Sequence, residues 1–114
     1  MQKLKSQKLI DRIFREGRSL SVFPLKMIFL EAGDINQVGV SVSKKKFKRA
    51  VDRNRIKRLI RETNRLNKKM LIDNNVSGYA FMILYIGDDV PDYKLLNIKT
   101  KELFTKFLTG LAFL

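Results

Sequence analysis

A chain of 114 residues, 45% of them hydrophobic, can bury a single core of its own and is not expected to be disordered. Its 24 Lys and Arg outnumber 11 Asp and Glu to give a net charge of +13, a self-repulsion that a closely spaced polyanion would relieve. Having neither Cys nor His, it has no disulfide framework, thiolate metal site or thiol nucleophile, and it lacks the commonest general base.

The amino-terminal MQKLKSQKLIDRIF carries charges too closely spaced for the apolar core of a signal peptide. Ser6 is placed to cap a short helix with Leu9, Ile10, Ile13 and Phe14 at helical spacing and Gly17 as its stop. The connection from Arg18 to Phe23 has room for a short strand that periodicity would not reveal. Pro24 then opens LKMIFLEA, whose β-branched and aromatic content predicts a strand leading to a turn at Gly33–Asn36. Val38, Val40 and Val42 alternate with Gly39, Ser41 and Ser43, predicting a strand with one apolar face and one face of small residues. That second face suits either close packing of a helix or the floor of a groove.

From Lys44 to Lys69 the chain concentrates thirteen of its 24 cations with two of its 11 anions, a net +11 against +2 elsewhere. Within it Ile56, Leu59, Ile60, Thr63, Leu66 and Met70 share an arc of roughly 120° on a helix, opposite Arg53, Asn54, Lys57, Arg58, Arg61, Asn64, Arg65 and Lys68. An ordinary solvated helix face mixes charge signs, whereas this one is almost uniformly positive. After the turn at Asp73–Asn75, Gly78 opens YAFMILYI, apolar on both alternations as in a strand covered on both faces. This longest apolar run is too short to span a bilayer, and a cytoplasmic location is expected by default. An acidic loop, Gly87–Asp92, leads to a last helix with Leu95, Leu96, Ile98, Leu103, Phe104, Phe107, Leu108 and Leu111 as core residues and Gly110 as a fray point. The order helix, strand, strand, basic helix, strand, helix predicts an α+β fold, and without repeats or linkers residues 1–114 are expected to form one domain.

Catalytic groups are scarce. Asp88, Asp89 and Asp92 form the only carboxylate cluster and lack calcium-hand spacing, so a solvated turn is the expected reading. Asp52 and Glu62 lie nearly three helical turns apart, too far to act as an acid–base pair, and no nucleophile–base–orienter set can be assembled. Binding chemistry is better specified, because Arg and Lys neutralise phosphates while Arg and Asn also reach base edges and 2′-hydroxyls. For Asn54, between Arg53 and Arg55, two roles stand open: an RNA contact, or a backbone hydrogen bond that fixes the start of the helix.

The segment VGVSVSKKKFKRAVDRNRIKRLIRE, Val38–Glu62, resembles the signature of the bacterial ribonuclease P protein subunit. The match runs residue by residue at Ser43, Lys44, Lys45, Ala50, Val51, Arg53, Asn54, Arg55, Lys57, Arg58 and Arg61, and the flanking segments extend it from Leu4 to about Phe107. The resemblance implies a mixed β-sheet with three helices and a left-handed βαβ crossover through the basic helix, like a domain of small-subunit ribosomal proteins. It also implies an accessory role beside a catalytic RNA that, with bound Mg²⁺, removes the 5′ leader of precursor tRNA, one protein per RNA, with no catalytic or metal-binding residues in the protein. Carried over, Lys44, Lys45, Lys46, Arg49, Arg53, Asn54, Arg55, Lys57, Arg58, Arg61 and Arg65 face the RNA. Ile10, Phe14, Ile28, Ser41 and Ser43 line a cleft for the leader. Ile10 and Ile28 stand where relatives often carry aromatics, so leader affinity is expected to lean on charge more than on stacking. A ribosomal or RNA-chaperone component would explain the charge but not the detailed motif. A membrane-surface protein fits less well, because the basic helix has no aromatic anchor.

Overall fold

The computed structural model describes residues 1–111. Its elements are β1 (Gln2–Lys3), α1 (Gln7–Glu16), β2 (Arg18–Val22), β3 (Leu25–Glu31), β4 (Gln37–Val42), α2 (Ala50–Asp73), β5 (Tyr79–Tyr85) and α3 (Tyr93–Leu111). One mixed five-stranded sheet has the order β1-β4-β5-β3-β2. β4 and β5 run parallel and are joined by α2, while β3 is antiparallel to both β5 and β2. This is the expected α+β class with three helices and a mixed sheet. The strand anticipated between Arg18 and Phe23 is present as β2. β1, parallel to β4 through Gln2↔Gln37 and Lys3↔Val38, was not expected, since two residues carry no periodicity.

The alternation read in the strands is realised. Val38, Val40 and Val42 join Leu25, Met27, Phe29, Phe81, Ile83 and Tyr85 beneath α2 and α3. Ile28, Ala80 and Met82 point to the opposite face and pack with Leu4 and the fully buried Ile13 of α1. Phe107 of α3 stands edge-on to Phe29, Tyr79 and Phe81 at 4.9, 5.4 and 5.2 Å, the arrangement that ring quadrupoles favour.

The caps behave as their residue types dictate. The Ser6 hydroxyl accepts from the Leu9 amide at 3.3 Å. Gly17 ends α1, but with φ −71° it is not in the left-handed conformation. It is required by space instead, because a Cβ there would press on the Ile13 carbonyl and lie 2.8 Å from Ile28 Cγ2. Gly78 does need its positive φ of 79°. Beside it the Asn36 side chain donates to the Val76 carbonyl at 2.9 Å and accepts from the Tyr79 amide at 3.1 Å, tying together the turns that precede β4 and β5.

Two helices expose residues expected in the core. In α2 the buried positions are Ile56, Ile60, Thr63, Asn64, Asn67 and Leu71, while Leu66 is 47% exposed. The inward direction is therefore turned roughly 55° from the arc of apolar letters. Polar pairing makes this possible: Thr100 donates to Thr63 Oγ1 at 2.9 Å, and Asn67 donates to the Thr63 carbonyl and to Asn97 Oδ1 at 2.7 and 2.8 Å. α3 buries Leu96, Thr100, Leu103, Phe104 and Phe107, one stripe at helical spacing. Leu95 and Ile98 fall off that stripe and face solvent, and the helix continues through Gly110.

Candidate nucleic-acid interface

The basic loop between β4 and α2 is held by four separate devices. The Ser43 hydroxyl accepts from the Lys45 and Lys46 amides at 3.2 and 3.4 Å, opening a tight turn. Phe47, 6% exposed, inserts against Tyr85 with ring centroids 5.8 Å apart. Arg53 reaches back from the first turns of α2, its Nη1 donating to the Phe47 and Lys48 carbonyls at 2.7 and 2.9 Å. Lys46 donates to the Ile86 carbonyl at 3.0 Å and pairs with Asp88 at 3.1 Å. Lys44, Lys45, Lys48 and Arg49 are left projecting from a braced turn.

Three expected RNA contacts therefore change character. Arg53 spends its donors on the loop's carbonyls and Lys46 on Ile86 and Asp88 after β5, and the Ser43 hydroxyl, expected in the leader cleft, is committed to two amides. Asn54 is exposed and makes no side-chain hydrogen bond among the described residues. The task of bracing the start of the helix falls to Arg53, so the structural role open to Asn54 is not realised.

Along α2 the residues Asn54, Arg58, Arg61, Arg65 and Lys68 recur with alternating steps of four and three, a single face about 20 Å long at 1.5 Å per residue. Arg55 and Lys57 flank it. Glu62 is the one anion here, paired to Arg65 at 2.6 Å, a bond that holds its carboxyl below the usual range. Arg55, Lys57, Arg58, Arg61 and Lys68 have no carboxylate within ion-pair distance among the described residues. Three uncompensated cations on this face and two flanking it attract phosphates.

Asn64 departs most from the sequence reading. Expected on the cationic face, it is 2% exposed, and neither Nδ2 nor Oδ1 has a hydrogen-bond partner among the described residues. An orphaned amide of this kind costs about 1–3 kcal/mol. It lines a hollow of about 350 Å³ between α2 and the β1–β4 edge, together with Met1, Lys3, Val38, Arg61, Arg65 and Lys68. Arg61 and Lys3 also border a smaller hollow of about 110 Å³ that includes Ile10, Gly39 and Met82. The cationic face is thereby continuous with the α1 side of the sheet.

On that side the register sets Ser41, Leu84, Lys26 and Ser21 abreast across β4, β5, β3 and β2. Ser41, Leu84 and Lys26 are half-buried and Phe14, on α1, is 51% exposed. Ile10 is half-buried one turn before Phe14. Ile28 is only 9% exposed and packs beneath Ile13 and Gly17, so it supports the cleft rather than lining it. Lys26 and Leu84 were missed because only strand register brings them beside Ser41.

The acidic loop is not assembled as a metal site. Asp88 pairs with Lys46, and Asp92 Oδ1 accepts from the Leu95 amide at 2.7 Å as the cap of α3. Among the described residues no group of three or more carboxylates is placed to hold a metal ion. None of the described helices is long and apolar enough to cross a membrane.

The family model described as Ribonuclease P matches residues 1–108. The chain belongs to the ribonuclease P protein family. It is 40% identical over 95 residues to the ribonuclease P protein component of Porphyromonas gingivalis strain W83, a match covering 75% of this chain and 67% of that one. Against the corresponding component of Clostridium kluyveri it is 33% identical over 105 residues, 91% of this chain and 92% of the relative. The solved ribonuclease P protein of Thermotoga maritima superposes with a TM-score of 0.76 at 25% identity, covering 90% of this chain and 94% of that one. That of Staphylococcus aureus gives 0.74 at 21%, covering 92% and 94%, and supports the fold. A generic ribosomal or chaperone role is not favoured. Within the family's fold, the loop and α2 form one candidate surface and the α1 side of the sheet a second, joined where Arg61 and Ile10 border the same hollow.

Proposed function

We propose that this chain, as the protein component of a ribonuclease P ribonucleoprotein, docks on the enzyme's RNA through the basic loop and α2, and holds the 5′ leader of precursor tRNA in the α1-side cleft. The observation that carries the docking surface is the face bearing Arg55, Lys57, Arg58, Arg61 and Lys68 without carboxylate partners among the described residues. Lys44, Lys45 and Arg49 extend it at one end. In the cleft, Phe14 supplies a ring for stacking, Lys26 a cation for the leader backbone, and Ser41 a hydroxyl. One protein per RNA is part of this proposal. Phosphodiester hydrolysis is assigned to the RNA, with Mg²⁺ held by RNA and substrate phosphates.

The test is cleavage of a precursor tRNA at near-physiological Mg²⁺ by a bacterial ribonuclease P RNA, with and without this chain, beside a protein-only reaction. Stimulated removal of the leader in the combined reaction alone is expected. Cleavage by the protein alone would overturn the assignment of chemistry to the RNA, and tight RNA binding without stimulation would leave a binding protein only. Phe14→Ala is expected to weaken precursor tRNA more than mature tRNA in a binding assay with the reconstituted particle. Equal losses would remove the leader from this cleft.

A further inference from the structure

The hollow at Asn64 has a composition that phosphate docking does not require. Its lining has an apolar part, Val38 from β4 and Met1, and a cationic part, Lys3, Arg61, Arg65 and Lys68. With them lies an amide that is 2% exposed, its donor and acceptor both unpaired among the described residues. No carboxylate lines it. A phosphate site would need the cations alone. An amide offering a donor beside an acceptor, with an apolar part of the lining, complements the edge and the flat face of a nucleobase. At about 350 Å³ the hollow is also within the size range of small-ligand sites.

We infer that this hollow is a nucleotide subsite. A single unstacked nucleotide of the partner RNA places its base against Val38 and hydrogen-bonds its edge to the Asn64 amide, with its phosphates on Arg61, Lys68 and Lys3. The inference rests on the docking of α2 to RNA proposed above and adds a base contact to it. Long, flexible Arg and Lys side chains form the cationic part of the lining and swing aside to admit the base. Asn64 is unpaired in the free protein because its partner arrives with the RNA.

Asn64→Leu tests this directly, since it nearly preserves side-chain size and removes both hydrogen-bonding groups while leaving every charge in place. Affinity for a bacterial ribonuclease P RNA is measured against salt concentration for the wild type, Asn64→Leu and Arg58→Ala, with thermal unfolding of each free protein. Asn64→Leu is expected to bind about tenfold or more weakly, with an unchanged salt slope and no loss of thermal stability. An amide that merely sits badly in the core predicts the reverse, wild-type affinity with a raised unfolding temperature, and that outcome overturns the subsite. A loss of affinity with a reduced slope also overturns it, because cations rather than a base contact would then have moved. Should Asn64→Leu fail to fold, Asn64→Ala gives the same reading, and wild-type affinity in it is equally fatal. Arg58→Ala separates the two claims: an unchanged slope in that variant rejects the docking of α2 itself, whereas a reduced slope beside an unaffected Asn64 variant rejects the subsite alone.

Discussion

Arg53 and Arg58 sit five residues apart on one helix and do different work. Arg53 donates twice to carbonyls of the basic loop, so Arg53→Ala removes charge-assisted bonds at a part-buried site and is expected to cost roughly 1.5–3 kcal/mol of stability. Arg58 is exposed and unpaired, and Arg58→Ala should stay within about 0.5 kcal/mol of the wild type. Denaturant titration of the two variants checks this, and equal losses would contradict it. Tyr85 gives a pH dependence: burial raises its phenol above the ordinary value near 10, while its hydroxyl donates to the Asp89 carbonyl at 2.6 Å. A raised folded-state pKa means the unfolded chain releases the proton first. The contribution is complete below pH about 10 and is lost as pH rises beyond it. Tyr79 shifts in the same direction. Stability should therefore fall less steeply above pH about 10 in Tyr85→Phe than in the wild type, and parallel curves would reject the coupling.

At the scale of elements, the basic loop depends on Phe47, the one side chain that anchors it in the core beneath α2 and α3. Phe47→Ala should cost roughly 3–5 kcal/mol. It should also weaken RNA binding beyond what its stability loss explains, since the turn bearing Lys44 and Lys45 loses its anchor. Binding measured well below the unfolding transition would show this, and wild-type affinity there would contradict it. Local elements with local signals were legible in sequence: the Ser6 cap, the valine alternation of β4 and the two-sided β5. Features decided by distant partners were not. β1 exists because β4 offers it an edge, and Lys26 shares a row with Ser41 only through three strands in register. The turn of α2 was misread because Asn64 and Asn67 occupy its inner face, and a polar letter there looks like surface until, for Asn67, α3 supplies Asn97. Ser43 belonged to the recognisable motif and Lys46 lay within its segment, but their bonds to the Lys45 and Lys46 amides and to Ile86 and Asp88 are visible only in three dimensions.

Over the whole molecule, a net charge of +13 on 114 residues is held together by a core on both faces of one sheet. Three of the scarce carboxylates pair Arg12, Lys69 and Lys99 within their own helices and a fourth pairs Arg65, leaving Arg55, Lys57, Arg58, Arg61 and Lys68 of α2 without an ion-pair partner among the described residues. The direct measurement of that claim is the salt dependence of binding to a bacterial ribonuclease P RNA, comparing the wild type with an Arg55→Ala, Arg58→Ala, Arg61→Ala triple variant. Each lost phosphate contact removes about 0.7–0.9 from the slope of log K against log salt. The account predicts a slope smaller by roughly two to three units in the triple variant, with the fold retained. An unchanged slope would place the RNA on some other surface of the protein.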